Sequence, residues 1–110
     1  MPAGRTDTHM LRKNKKVEGL AEQLELAAAR VMARCDVLAK VSLNPQHVER
    51  TYLSTAHAQA NKIVEGWINE AGMRSYQDAV GNVWGRYKAV GDKAPSLIVG
   101  SHLDLSLIHI

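Results

Sequence analysis

Apolar residues recur at spacings of three and four through Leu20, Leu24, Ala28, Val31, Cys35 and Leu38. That is the period of one helix face, so the pattern predicts a helix over about residues 17–41. Its other face carries Glu18, Glu22, Glu25, Arg30, Arg34 and Lys40. A coiled-coil seam is one use of such a stripe, and Ala-rich packing onto a sheet or a second helix is the commoner one. Cys35 sits on the stripe and reads as a buried packing residue. Asn44-Pro45 breaks the pattern, because proline disfavours helix at the residue before it. Gln46–Leu53 then reads as a connection with a short helical turn. Ser54 is a good N-cap for a second helix whose apolar face is Ala56, Ala60, Ile63, Val64, Trp67, Ile68 and Ala71. Gly72 followed by Met73 is the expected left-handed stop with its apolar contact.

Beyond Gly72 the period shortens. Met73–Tyr76 and Val83–Tyr87 read as two antiparallel strands around a Gly81-Asn82 turn. Gly91–Pro95 is a polar loop. Ser96-Leu97-Ile98-Val99, bounded by Pro95 and Gly100, reads as a third strand, buried on both faces. Helix, helix, strand, strand, strand, without an internal repeat, predicts an α/β or α+β sheet with helices against it.

Composition narrows the class without changing this order. A chain of 110 residues with 45% apolar content holds one small domain or a piece of one. No Phe, two Trp and three Tyr make the core aliphatic and offer no aromatic platform for bases. The net charge of +3 is unevenly placed: residues 1–16 carry Arg5, Arg12, Lys13, Lys15 and Lys16 against Asp7 alone, which leaves the remainder slightly negative. Residues 1–16 therefore read as a basic, disordered leader, and nonspecific phosphate attraction is all it offers nucleic acid. A single cysteine excludes an internal disulfide. No run approaches the length of a membrane span, and the expectation is a soluble, cytoplasmic protein with no nucleic-acid or membrane partner.

Candidate chemistry gathers at Gly100-Ser101-His102-Leu103-Asp104. A strand over 96–99 would deliver His102 and Asp104 just beyond its carboxyl edge, where ligands collect in open α/β sheets. Neutral imidazole is a good zinc ligand, and a carboxylate two residues on can orient it. A catalytic zinc takes about three protein ligands, so spacing alone leaves both a metal role and an ordinary hydrogen-bonded histidine open. His9 lies in the leader, His47 in the connection, His57 in the first turn of the second helix and His109 in the tail. Ser101 is a poor nucleophile partner for His102, because neighbours on a strand face opposite sides. Asp78 and Arg86 bracket the hairpin; they suit a substrate carboxylate, or equally a turn and a surface ion pair. Gly81 and Gly85 lack the lysine and the strand-to-helix setting of a phosphate loop.

Tyr52-Leu53-Ser54, Ala60-Asn61, Glu70-Ala71-Gly72-Met73, Asp78-Ala79-Val80-Gly81-Asn82-Val83-Trp84-Gly85-Arg86 and Gly100-Ser101-His102-Leu103-Asp104 follow one another in the chain. In that order they resemble the N-terminal part of the allantoate amidohydrolase and N-carbamoyl-L-amino-acid hydrolase family, within the dinuclear-metal aminoacylase and carboxypeptidase superfamily. The resemblance runs from about residue 30 to 104. It implies that residues 17–104 are the N-terminal portion of a metallohydrolase catalytic domain of α/β class. His102 would be the first ligand of one metal, and Asp104 would orient it as part of the catalytic machinery. The family's chemistry is metal-dependent hydrolysis of a linear amide, amidine or carbamoyl bond. Two Zn²⁺ or Mn²⁺ ions activate a bridging water, and a glutamate serves as general base. The implied substrate is a small ureido compound, allantoate first and an N-carbamoyl-L-amino acid as the alternative, and the implied assembly is a homodimer.

After His-x-Asp the family continues with Thr, a Gly-rich segment and a metal-bridging Asp. Here Leu105–Ile110 follows instead, an atypical tail that reads as foreign to the family. The bridging Asp, the general base and the other ligands have no counterpart in these residues, so the expectation is an inactive fragment. A small non-catalytic interaction module, using the leader or the first helix, is the reading from a different class.

Overall fold

The computed structural model describes residues 4–88, 91 and 93–106, with side chains given from residue 14 and for Arg12. Its elements are α1 (Gly4–Ala39), β1 (Glu49–Arg50), α2 (Thr55–Glu70), β2 (Arg74–Gln77), β3 (Val83–Arg86) and β4 (Leu105–Ser106). Two helices and short antiparallel strands make a mixed α/β arrangement, as the sequence pattern predicts, with the two-residue β1 lying between the helices. The chain divides into two units, Met1–Val37 and Leu38–Ile110.

The first unit is α1 up to Val37. The helix starts at Gly4, well inside the stretch expected to be a disordered leader. Lysine and arginine have nearly the helix propensity of leucine, so a basic run extends a helix that its apolar period alone would start later. Its apolar stripe is uncovered: Val17, Leu20, Leu24, Val31 and Met32 are all exposed. Cys35 is exposed as well, which corrects its reading as a buried residue. A lone helix has no second layer of its own to bury a stripe against.

The second unit is organised on α2. The Ser54 backbone is extended (φ −74°, ψ 166°), and its hydroxyl oxygen accepts the His57 N–H at 3.1 Å. At the other end Gly72 takes φ +83°, its N–H reaches Asn69 O, and the Met73 N–H closes on Ile68 O at 3.2 Å. That pattern satisfies the last carbonyls of the helix and needs a residue free to adopt positive φ. Helix α2 buries Ala56 and Ala60, with Val41 beside them and the partly buried Leu38 and Ile63 packed against this small core.

β2 and β3 form the expected hairpin, in register Arg74↔Arg86, Tyr76↔Trp84 and Gln77↔Val83. The Tyr76 and Trp84 rings stack at 5.9 Å with 4° between their planes. β3 lies close on α2: a Cβ built on Gly85 would stand 2.8 Å from Ile68 Cγ2, so only glycine fits without displacement. The turn is stitched to α2 by Asn61, whose Nδ2 donates to Gly81 O at 3.1 Å, and to the connection ahead of α2 by the Tyr52 hydroxyl, which donates to Val80 O.

The third expected strand is absent. Residues 94–104 are irregular, and Leu97, Ile98 and Val99 are 89%, 77% and 86% exposed. A strand buried on both faces needs neighbours on either side. Among the described residues, β2 and β3 pair with each other and β1 pairs with β4, so none flanks this run. The β1–β4 pair, Glu49↔Ser106 and Arg50↔Leu105, has no signature in the sequence pattern.

Candidate metal-binding site

His102 and Asp104 lie between the exposed apolar run and β4, and the local geometry fixes the chemistry of the imidazole. Nδ1 of His102 is 2.8 Å from the main-chain carbonyl oxygen of Asp104. A carbonyl only accepts, so Nδ1 carries the proton and donates it. Nε2 is then the nitrogen with the free lone pair, the form in which a histidine binds a cation. The Asp104 carboxylate stands further off, 3.7 Å from the same Nδ1. It is therefore the aspartate's main chain that makes the short contact. The His102 side chain is 72% exposed, which leaves Nε2 accessible.

Beside the motif lies a residue the sequence pattern did not single out. Arg50 on β1 is 5% exposed, and its guanidinium donates to three main-chain carbonyls. Nε reaches Leu103 O at 2.7 Å, while Nη1 reaches Leu38 O at 2.6 Å and Val41 O at 2.9 Å. Burial lowers the pKa of the group from its ordinary value. An arginine in a connection without periodicity looks like any solvated charge, so only the folded chain reveals it.

Among the other candidates, His57 and Asp78 have structural roles, whereas His47 Nε2 is buried without a hydrogen-bond partner. His57 is buried, and its Nδ1 accepts the Leu53 N–H at 3.1 Å, which holds Leu53 at φ +62°. His47 Nε2 is 3.7 Å from Glu49 Oε2. His47 also lines a cavity of about 310 Å³ with Lys40, Asn44, Pro45 and Val48, which includes neither His102 nor Asp104. His9 lies in α1 outside the described side chains, and His109 lies outside the described residues. Ser101 is exposed.

Asp78 is spent on the turn. Its carboxylate accepts the Trp84 indole N–H at 3.0 Å, the Asn82 side chain at 2.8 Å and the Asn82 and Val80 amides at 2.9 and 3.1 Å. The Trp84 bond, then those from Asn82, bring its pKa down from 3.8 to about 2. Arg86 sits at the opposite end of the hairpin, across from Arg74, so the structure does not bring Asp78 and Arg86 together.

No group of three His, Cys, Asp or Glu side chains gathers among the described residues. Among the described residues, His102 Nε2 is therefore an exposed imidazole nitrogen without the companion donors that a metal centre takes.

Comparison with known proteins gives the site its context. The chain is 35% identical over 91 residues to an allantoate deiminase of Arabidopsis thaliana, covering 81% of the chain and 17% of that protein. It is 40% identical over 73 residues to allantoate deiminase 1 of Glycine max, covering 66% of the chain and 15% of that protein. It is also 34% identical over 76 residues to an N-carbamoyl-L-amino acid amidohydrolase of Geobacillus stearothermophilus, covering 68% of the chain and 19% of that protein. The matched residues are a segment of the allantoate deiminase and N-carbamoyl-L-amino-acid amidohydrolase family. The chain thus spans less than a fifth of the length of these allantoate deiminase and amidohydrolase relatives. No family model and no solved structure matches it. Among the described residues, no helix is long and apolar enough to cross a membrane.

Proposed function

We propose that this segment serves a metal-dependent hydrolase of linear C–N bonds in ureido compounds, with allantoate as the substrate and His102 Nε2 as one metal ligand. The observation that carries the reading is the His102 ring. Its Nδ1 proton is committed to the Asp104 carbonyl, and the opposite nitrogen is exposed and free to bind. The relatives' names support the substrate class: allantoate deiminase for the Arabidopsis and Glycine proteins. The Geobacillus N-carbamoyl-L-amino acid amidohydrolase favours N-carbamoyl amino acids as a second reading. A pair of divalent ions, Zn²⁺ or Mn²⁺, and a homodimeric, cytoplasmic enzyme belong to the same proposal. With no group of three metal-binding side chains among the described residues, the 110 residues by themselves turn over neither substrate.

A graft tests this reading. Residues 30–104 replace the corresponding segment of the Arabidopsis allantoate deiminase, and ammonia release from allantoate is measured with Mn²⁺ or Zn²⁺. The expected result is an active chimera that His102→Ala reduces to background, with no turnover by the 110-residue chain alone. A folded chimera indifferent to His102→Ala refutes the ligand role. Turnover of an N-carbamoyl-L-amino acid in place of allantoate selects the second reading.

A further inference from the structure

We propose that Arg50 is the positioning residue of His102, holding the imidazole in its Nδ1–H form through the main chain of the motif. This rests on the reading of His102 as a ligand, and the physical link is short. The Arg50 Nε–H is bonded to the carbonyl of Leu103, the residue between His102 and Asp104. That bond fixes the Leu103–Asp104 peptide plane from one side. Pairing of Arg50 with Leu105 across β1 and β4 fixes the chain from the other. Between these two restraints lies Asp104, whose carbonyl accepts the His102 proton at 2.8 Å. The same guanidinium is tied by Nη1 to Leu38 O and Val41 O, so the motif is referenced to the chain just ahead of β1 and to the edge of the core.

A merely structural latch does not need this residue. Taking a cation out of water is costly, and an apolar side chain of similar volume packs the same space without that cost. What an apolar side chain cannot do is donate to three carbonyls at once. The planar fork of arginine does so in a fixed geometry, and the single ammonium of lysine does not reproduce it. Imidazole free in water does not hold the Nδ1–H form by itself, so the tautomer of His102 reads out whether the main chain is held. Arg50 touches neither the ring nor a cation, and its effect passes entirely through the peptide it holds.

The test is nuclear magnetic resonance of the 110-residue chain labelled with ¹⁵N, near pH 8.5 and without metal. In the unsubstituted chain the Arg50 Nε–H exchanges slowly and the His102 ring nitrogens report the Nδ1–H form. In Arg50→Met the ring shifts to a mixture dominated by Nε2–H, and the Leu105 and Ser106 amides exchange at least about 10-fold faster. The Trp84 indole and the α2 amides stay protected. Arg50→Lys falls between the two. An Arg50 Nε–H that exchanges as fast as free arginine overturns the proposal in the unsubstituted chain, even if Arg50→Met fails to fold. An unchanged ring tautomer in a folded Arg50→Met overturns it as well. Failure of the chain to bind Co²⁺ through His102 counts against the ligand reading alone, because the tautomer measurement needs no metal.

Discussion

Substituting alanine at two glycines of the second unit is expected to move its stability in opposite directions. At Gly85 the new Cβ lies 2.8 Å from Ile68 Cγ2, 3.2 Å from Met73 Sδ and 3.3 Å from Ile68 Cδ1. Carbon atoms rest at about 3.5–4.0 Å, so the closest contact is roughly 0.7 Å too short. Ile68 belongs to α2, where a β-branched side chain has one strongly preferred rotamer, and Cγ2 cannot swing aside. The hairpin must lift from the helix instead. Overpacking of this kind costs about 1–3 kcal/mol. For a unit of this size that lowers Tm by roughly 5–20 °C. At Gly66, in the body of α2, nothing lies within 4 Å of the new Cβ. There alanine removes the entropic cost of glycine in a helix and stabilises by about 0.5–1 kcal/mol. Thermal unfolding followed by circular dichroism at the helix band measures both. The decisive comparison is a double-mutant cycle with Ile68→Ala, in which the Gly85→Ala penalty shrinks because its clash partner is gone. A Gly85→Ala chain that melts with the parent, or that loses the same amount with and without the Ile68 side chain, refutes the packing argument.

Two other expectations follow from the hydrogen bonds and exposures described. Asp78 is held at a pKa of about 2 against an ordinary 3.8, so its stabilisation is complete above about pH 4 and is lost as pH falls towards 2. Asp78→Asn removes that part of the acid transition, and a melting profile between pH 5 and pH 2 unchanged by the substitution contradicts the assignment. Ile98→Ser changes the melting temperature little, within about 0.5 kcal/mol of stability, because the residue is 77% exposed. A loss of about 2 kcal/mol or more in the same melt would mean that the 96–99 run is buried after all.

What the sequence disclosed and what it withheld divide along one physical line. Ser54, Gly72 and the Gly81-Asn82 turn act on their own neighbours, so their chemistry is written within a few residues, and α2 and the hairpin stand where the pattern places them. Cys35 and Leu97–Val99 were read as buried from apolar character, which sets what a residue prefers and not whether a covering layer exists. The β1–β4 pair joins residues more than fifty positions apart and is two residues long, too short for any period. Arg50, which organises that pair, carries no mark in the sequence except its charge. The His102–Asp104 motif was visible as a spacing, yet the atom that holds the ring is a backbone oxygen, on which side-chain identity is silent.

The indole of Trp84, stacked on Tyr76 and bonded through its N–H to Asp78, gives the hairpin an optical label of its own. Protonating that carboxylate changes the ring's surroundings at the same moment that it loosens the turn. In a chain whose Trp67 has been replaced by phenylalanine, emission wavelength would therefore track the opening of this one element, separately from the melting of the helix beneath it.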